Sequence, residues 1–491
     1  MSEFAARLTR AGIENDDRVA IAWDGGHLTY AALREQVSDL VVDLEKLVGP
    51  CPPGARIAVD AARSASTVVA YVTCVQQGWV YVPIPDGSPR QRAEAILRSA
   101  DPVARLTPTQ IGAAHRLTMV RAIDDSDGVD DDVVALLHTS GSTGTPKGVT
   151  ITGRNLAAFV DWCSQQLPMR AGDRVAALSP FHFDLCTHDI YATLLQGGTL
   201  VLPDEVTEFS PQRCLKFLED HRISRLYMVP TFLERLCRAA VRRGTRLSGI
   251  DTVMFAGERL SGAARPLLEQ TFPEAALWNL YGPIETNVIT AARLERGAAH
   301  DSSDIGEALP GVVLRVRDQD GALLSEGRGE LLAAGPSVSP GYLDRAGENN
   351  ARFTVAGQLR FYATGDEVTL DSSGRVTLHG RLDNMVKIRG LRVELEEVEA
   401  VIAAVPEVRA VGVVPAADHL SLVAFLQADD PSTALPAVRL ACRERLADYM
   451  APSRWDFVPE MPTTPSGKVD RQSLRRREES ATHGEPVRHH P

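Results

Sequence analysis

Apolar and polar positions along the chain switch between two periods. Short apolar runs of strand length alternate with stretches that repeat every three to four residues, which predicts strands and helices taking turns. Residues 18–23 and 28–30 read as a strand pair. A helix follows, with Ala31, Leu33, Val37, Leu40, Val41, Leu44 and Leu47 at helical spacing. Next come a strand at 57–59, a helix at 64–76, a strand at 79–84 closed by Pro85, a helix at 90–100 and a buried strand at 133–137. The pattern resumes with strands expected at 175–178, 199–202, 225–229, 252–255 and 277–279. Such alternation predicts an α/β fold: parallel-rich sheets layered with helices in a large N-terminal domain.

From about 311 the texture changes to short β-type runs with turns at 318–321 and 371–374, a small β-rich subdomain reaching 380. Beyond it, Leu395, Val398, Val401, Ile402 and Val405 mark one side of a helix at 394–405. Strands at 410–414 and 421–426 and a helix at 436–449 complete a small α+β domain of roughly 90 residues, a size that folds independently. The expected division is a core at 1–380, a hinge at 381–383, a mobile C-terminal domain at 384–477 and a disordered tail at 478–491. The basic run Arg475, Arg476 and Arg477 reads as a solvated helix end, and the acidic stretch 124–132 as a solvated loop.

At 491 residues the chain exceeds a single core. Its 44% hydrophobic and 24% charged content is that of an ordinary soluble enzyme. The net charge of −12 argues against a nucleic-acid partner. Seven scattered cysteines with no CxxC spacing suggest neither a disulfide framework nor a zinc site, and a reducing cytoplasm is expected. No apolar run approaches the roughly 18 residues of a membrane span, and the N-terminus lacks the apolar centre of a signal peptide.

Chemistry concentrates after the strand at 133–137. Thr139, Ser140, Gly141, Ser142, Thr143, Gly144, Thr145, Pro146, Lys147 and Gly148 follow it directly. Glycines let the backbone approach a ligand, hydroxyls and backbone N–H groups donate to phosphate oxygens, and Lys147 adds a point charge. The order is not that of the nucleoside-triphosphatase P-loop, because Gly148 stands where Ser or Thr would follow the lysine. A flexible linker of similar composition would need neither the buried strand before it nor the Pro-Lys-Gly ending. Further polar residues fall just past predicted strand ends, where α/β sheets bind ligands: 179–184, Pro230, Gly257, Glu258, and 281–285.

The loop TSGSTGTPKG resembles the signature of the adenylate-forming superfamily, which includes acyl-CoA synthetases, luciferases and the adenylation domains of nonribosomal peptide synthetases. NLYGPIE (279–285), YATGDEV (362–368), GRLDNMVKIRGLRVELEEVE (380–399) and TPSGKVDR (464–471) continue the resemblance in the family's order, over about residues 29–474. LTYAALREQ and GWVYVPIPDGSPRQRAEAIL resemble its first two, mostly structural, motifs. The resemblance implies that a carboxylate attacks the α-phosphorus of ATP and expels pyrophosphate. Both reactants are anions, so the site must neutralise charge and hold them in line.

By that resemblance Lys147 and the 139–145 loop clamp the β- and γ-phosphates, and Glu285 is the candidate Mg²⁺ ligand. Gly257, Glu258, Asn279, Tyr281 and Gly282 flank the nucleotide, with the Tyr281 ring beside the adenine. Asp366 and Arg381 take the ribose. Lys468 enters the site during adenylation, and His182 gates the carboxylate and the incoming thiol. Asp383 matches the hinge about which the C-terminal domain rotates before thioester formation, and Gly390 lines the thiol tunnel.

Phe183-Asp184 resembles the pair of amino-acid-activating members, whose aspartate binds the substrate α-ammonium. A buried carboxylate needs such a partner, whereas an acyl-CoA synthetase using a small carboxylic acid and CoA, the alternative reading, has no use for it. A capping role for Asp184 on the following helix is the structural alternative. Carried-over pocket positions are Leu185, His188, Met228, Met254, Ala256, Leu280, Val288 and Ile289, mostly apolar, which suits a small neutral amino acid such as alanine, serine or proline. Because one methylene discriminates by only about 1–3 kcal/mol, relaxed selection is expected.

The chain begins at the adenylation motifs and stops soon after Lys468. A free-standing enzyme is therefore expected, loading the phosphopantetheine thiol of a separate carrier protein in natural-product biosynthesis. Ile284, Ala363 and Cys186 depart from the family's usual Thr, Arg and Ser. None of these removes a charged group with an assigned role, so the catalytically dead scaffold that is the non-enzyme reading is disfavoured by Lys147, Glu285, Asp366 and Lys468.

Overall fold

The computed structural model describes residues 2–108, 115–123, 132–139, 146–204, 210–297, 303–463 and 469–482. By contact density the chain forms two compact units. The first comprises residues 1–86, 100–138 and 148–382; the second comprises 87–99, 139–147 and 383–491.

Two sheets build the first unit. In the seven-stranded sheet the strand Arg56–Asp60 lies parallel to both Val80–Ile84 and Ala104–Pro108. Val80–Ile84 in turn pairs parallel with Val133–Thr139 through Tyr81 and Ala135. The fifteen-stranded sheet is parallel through Val19–Trp23, Thr199–Val201, Arg174–Ala176, Arg225–Met228, Thr252–Phe255 and Ala276–Tyr281. It turns antiparallel at Thr290–Leu294. The β-type runs after 311 therefore continue one sheet, joined through Asp304–Ala308 and Arg375–Arg381.

The largest apolar cluster lies between the sheets, taking Ile57, Val59 and Tyr81 from one and Ala20, Ile21 and Leu200 from the other. Helix Ala65–Gln77 runs inside it, buried from Ala65 to Val75. Burial on every face explains its apolar surface all round. The Ser64 side chain accepts from Thr67 N at its start, and Gly78, left-handed at φ 71°, ends it. Helix Glu3–Glu14, which the apolar pattern did not predict, adds Phe4, Ala5 and Leu8 to the same cluster.

In the second unit, helix Leu395–Ala403 packs Val398, Val401 and Ile402 against the strands Val408–Pro415 and Leu422–Ala428. Arg471 clasps Glu399 through two nitrogens, at 2.5 and 3.1 Å. The helix expected at 436–449 instead runs Pro431–Arg445. Asp430 accepts from Ser432 N at its start, Pro431 fills the first turn, where no N–H is needed, and Pro436 is carried inside. The last helix, Arg471–Thr482, extends past 478, where the tail was expected to begin. Glu478 is buried on that helix, accepts from Ala417 N and pairs with Arg454, and these contacts hold its end. Residues 483–491 lie outside the described residues.

Candidate active site

The tips of the parallel strands carry most of the candidate residues. Strand Ala276–Tyr281 ends on Tyr281, and the chain then folds back so that Ile289 N donates to Tyr281 O at 2.8 Å. This turn requires Gly282, because a Cβ there would overlap the Asn287 carbonyl oxygen. Asn287 takes positive φ (52°), which asparagine tolerates better than most residues. Its Nδ2 donates to Thr187 Oγ1 at 3.3 Å.

Glu285 sits in this turn at 0% exposure. Its Oε1 accepts from the Tyr342 hydroxyl at 2.6 Å, and its backbone O from Ser339 N at 2.8 Å. Tyr342 pairs with Val149 in the strand Lys147–Thr152. Asn155, which boxes the start of helix Gly153–Gln166 with Thr152, donates from Nδ2 to Pro336 O and Val338 O. The carboxylate is thus fixed by a tyrosine and a loop that are themselves anchored. Neither Tyr342 nor Asn155 was singled out from sequence, since a lone tyrosine after glycine and a capping asparagine carry no periodic signal.

A second cluster joins Tyr281, Asp366 and Arg381. The Tyr281 hydroxyl donates to Asp366 Oδ2 at 2.6 Å. Arg381 Nη1 donates to the same oxygen at 3.0 Å and to Thr364 O at 2.8 Å. Asp366 N donates to Thr364 Oγ1. Burial, and next the Asp366 charge, push the Tyr281 hydroxyl well above its ordinary range, so it remains a donor. Among the described residues Asp366 Oδ1 makes no hydrogen bond, which leaves one carboxylate oxygen for a ligand.

Phe183 and Asp184 line a small cavity with Leu137, Thr187, Ile284 and Asn287, with room for about one water molecule. The His182 ring stands 4.3 Å from that of Phe183. Met254, Ala256, Leu280 and Val288 share the main apolar cluster, with Leu185 packed against it. Met228 belongs to a second cluster and Ile289 to a third, so those two stand apart from the other pocket candidates.

Other candidates carry structural contacts. Glu258 accepts from Thr231 N at 3.1 Å and from Thr231 Oγ1, at the start of helix Pro230–Arg243. Gly257 beside it has φ 95°. Asn279 Nδ2 donates to Asp304 O at 2.9 Å. Thr139 ends its strand buried, and its Oγ1 has no hydrogen-bond partner among the described residues. Lys147 is buried at the start of its own strand.

Asp383 opens the second unit's C-terminal stretch and accepts from Met385 N at 3.3 Å. Gly390 (φ 80°) and Arg389 (φ 53°) form the two-residue turn between strands Met385–Ile388 and Leu391–Glu394. Positive φ at both positions is what a tight hairpin asks for. Ser140, Gly141, Ser142, Thr143, Gly144 and Lys468 lie outside the described residues.

This geometry accompanies a clear family assignment. The AMP-binding enzyme family model matches residues 8–343, and that of the AMP-binding enzyme C-terminal domain matches 397–468. The chain belongs to this family, the adenylate-forming superfamily of adenylation enzymes. It is 30% identical over 496 residues to the D-alanine–D-alanyl carrier protein ligase of Lacticaseibacillus rhamnosus, covering 95% of this chain and 97% of that protein. It is 33% identical over 488 residues to surfactin synthase subunit 1 of Bacillus subtilis, covering 93% of this chain and 13% of that longer protein. The fold is that of the Vibrio cholerae adenylation domain AlmE, solved with glycyl-adenosine-5′-phosphate: TM-score 0.83 at 23% identity, over 97% of this chain and 98% of that one.

Proposed function

We propose that the enzyme activates a small neutral amino acid with ATP and passes it to the phosphopantetheine thiol of a carrier protein. In the first half-reaction a substrate carboxylate oxygen bonds to the α-phosphorus and the bond to the β-phosphate oxygen breaks, releasing pyrophosphate. In the second, the thiol sulfur, having lost its proton, attacks the acyl carbon and AMP leaves. The carrier-protein ligase relative, similar along almost its whole length, supports this acceptor over CoA.

The observation that carries the reading is Asp184 on the wall of a small, partly open cavity with Phe183, Thr187 and Asn287. A carboxylate there provides the counter-charge for an α-ammonium, which a simple carboxylic acid lacks. Asp366 and Arg381 would hold the ribose, with Tyr281 beside the base. The buried Thr139 hydroxyl, without a partner among the described residues, and the buried Lys147 suit a polyphosphate.

The donor set also fits Mg²⁺. Among the described residues no three metal-ligating side chains gather, and Mg²⁺ takes one or two carboxylates and completes its shell with substrate phosphates and water. Glu285 would hold it, where the ion would offset phosphate charge. Tyr342 keeps that carboxylate aimed. Among the described residues the cysteines form no disulfide, which suits a reducing cytoplasm, and no helix is long and apolar enough to cross a membrane.

The test is amino-acid-dependent ATP–pyrophosphate exchange over a substrate panel, followed by mass measurement of a phosphopantetheinylated carrier protein. Exchange is expected with one or a few small amino acids and is lost in Asp184→Ala. Undiminished turnover in that variant, or exchange with an acid lacking an amino group, would overturn the reading.

A further inference from the structure

Ser339 is fully buried and spends each of its polar groups on a different element. Its N–H donates to Glu285 O at 2.8 Å, in the turn that carries the candidate metal carboxylate. Its hydroxyl donates to Thr150 O at 2.7 Å, in the strand Lys147–Thr152, and accepts from Gly341 N at 2.9 Å. Its carbonyl accepts from Arg360 Nη1 at 3.0 Å, in the strand Leu359–Leu370.

The residues around Ser339 leave the segment little freedom. Val338 O is taken by Asn155 Nδ2 at 3.0 Å, and the ring of Pro340 fixes its own φ. Gly341 has φ 135°, and a Cβ there would stand 2.4 Å from Asn349 Oδ1, which accepts from Tyr342 N at 2.7 Å. Gly341 and Tyr342 pair with Thr150 and Val149. The Arg360 guanidinium lies 3.8 Å over the Phe353 ring, and that ring meets Tyr342 edge-on at 6.1 Å. Thr150 belongs to the seven-stranded sheet, whereas Glu285 follows a strand of the fifteen-stranded one. Ser339 thus fastens the Glu285 turn to the other sheet. Tyr342 aims the Glu285 side chain, and Ser339 holds its main chain.

We propose that Ser339 is a positioning residue for the metal-bound nucleotide: its hydroxyl locks the Glu285 turn to the strand Lys147–Thr152, and Arg360 secures the same segment through the Ser339 carbonyl. This deepens the assignment of Glu285 as the Mg²⁺ ligand and rests on it. A carboxylate presented to an ion on a backbone that cannot drift needs no reordering when the ion arrives. Ser339 touches no substrate and acts through Glu285. Alanine at this position would keep the N–H that meets Glu285 O. It would lose both bonds of the hydroxyl, leaving Thr150 O and Gly341 N without that partner and the turn free to shift.

Calorimetric titration of the full-length enzyme with ATP, in Mg²⁺ and in a chelator, reads metal-dependent affinity without turnover. The unmodified enzyme is expected to bind ATP more tightly with Mg²⁺. Ser339→Ala is expected to weaken binding of the Mg²⁺ complex about fivefold, the worth of one hydrogen bond, and of metal-free ATP by less than about twofold. Arg360→Met is expected to act in the same direction and carries the test should Ser339→Ala fail to fold. In a Glu285→Gln background, where the carboxylate charge is gone, Ser339→Ala is expected to change neither affinity. Equal weakening of both forms of ATP, an unweakened Mg²⁺ complex, or an undiminished effect in the Glu285→Gln background would overturn the proposal and leave the metal assignment intact. No gain from Mg²⁺ in the unmodified enzyme would overturn both.

Discussion

The Tyr281 hydroxyl and Asp366 Oδ2 stand 2.6 Å apart although 85 residues separate them in the chain. The first ends a parallel strand and the second lies in Leu359–Leu370, in the antiparallel continuation of the same sheet. Arg381 reaches the same oxygen from the neighbouring strand, where it sits opposite Asp366 in register. Removing the carboxylate charge should therefore weaken nucleotide binding more than removing the tyrosine hydroxyl. Asp366→Asn is expected to raise KM for ATP about tenfold or more, and Tyr281→Phe only severalfold, since charged hydrogen bonds are worth roughly twice neutral ones. Equal effects in steady-state exchange kinetics would count against the ribose assignment.

Glu285 depends on Tyr342 for its aim. Tyr342→Phe removes the hydroxyl but keeps the ring, and should weaken Mg²⁺ binding: a higher Mg²⁺ concentration for half-maximal exchange, with a stability loss of about 1–3 kcal/mol because a buried carboxylate loses a donor. Titrating Mg²⁺ at saturating ATP reads this directly.

Arg225 offers a test of stability away from the strand tips. It is 3% exposed, donates to Leu167 O and Pro168 O, both at 2.7 Å, and meets Asp173 Oδ2 at 3.0 and 3.2 Å. Arg225→Ala removes the buried cation from Asp173, which keeps Arg170 N and Ser224 Oγ as donors, and leaves two carbonyls without it; it is expected to cost about 3–5 kcal/mol. Urea unfolding followed by tryptophan fluorescence would measure it; a loss under about 1 kcal/mol would show that water replaces the guanidinium.

Alkaline pH should destabilise the fold before it affects chemistry. Burial pushes the thiols of Cys214, Cys237 and Cys442 up to about 12, against an ordinary value of about 8.5. Below about 8.5 the thiols are protonated in folded and unfolded chains alike and the stability they contribute is fully present. As pH rises toward 12 only the unfolded thiols ionise, and the melting temperature falls. Buried Tyr71, Tyr191 and Tyr227, also raised by burial, steepen the loss above about 10. Calorimetry from pH 7 to 10.5 is expected to show this decline, and Cys214→Ala with Cys237→Ala to soften it.

Asp383 opens the C-terminal stretch of the second unit. If rotation about it separates the two half-reactions, Asp383→Pro should slow carrier-protein loading at least tenfold while pyrophosphate exchange changes less than threefold. Equal loss in both would remove the hinge role.

What the order of residues settled alone is considerable. Apolar period distinguishes strands from helices wherever one face is buried, so the alternation through residues 56–100 and the strands at the tips were readable. Short contiguous motifs also singled out Glu285, Asp366 and Arg381 as candidates, because each sits in a segment whose neighbours have physical tasks. Boundaries set by side-chain caps were displaced, as at Asp430, and helix Glu3–Glu14 and the helical stretch reaching Thr482 were missed. Their hold comes from distant partners such as Glu478 with Arg454.

Only the folded chain decided which of these residues meet. No local pattern places Tyr342 on Glu285 or Arg381 on the oxygen already taken by Tyr281: the first contact joins a strand of the seven-stranded sheet to a turn of the fifteen-stranded one, and the second follows from strand order and register within the latter. A hydrogen bond operates over about 3 Å, and distances of that kind between residues far apart in sequence are products of packing.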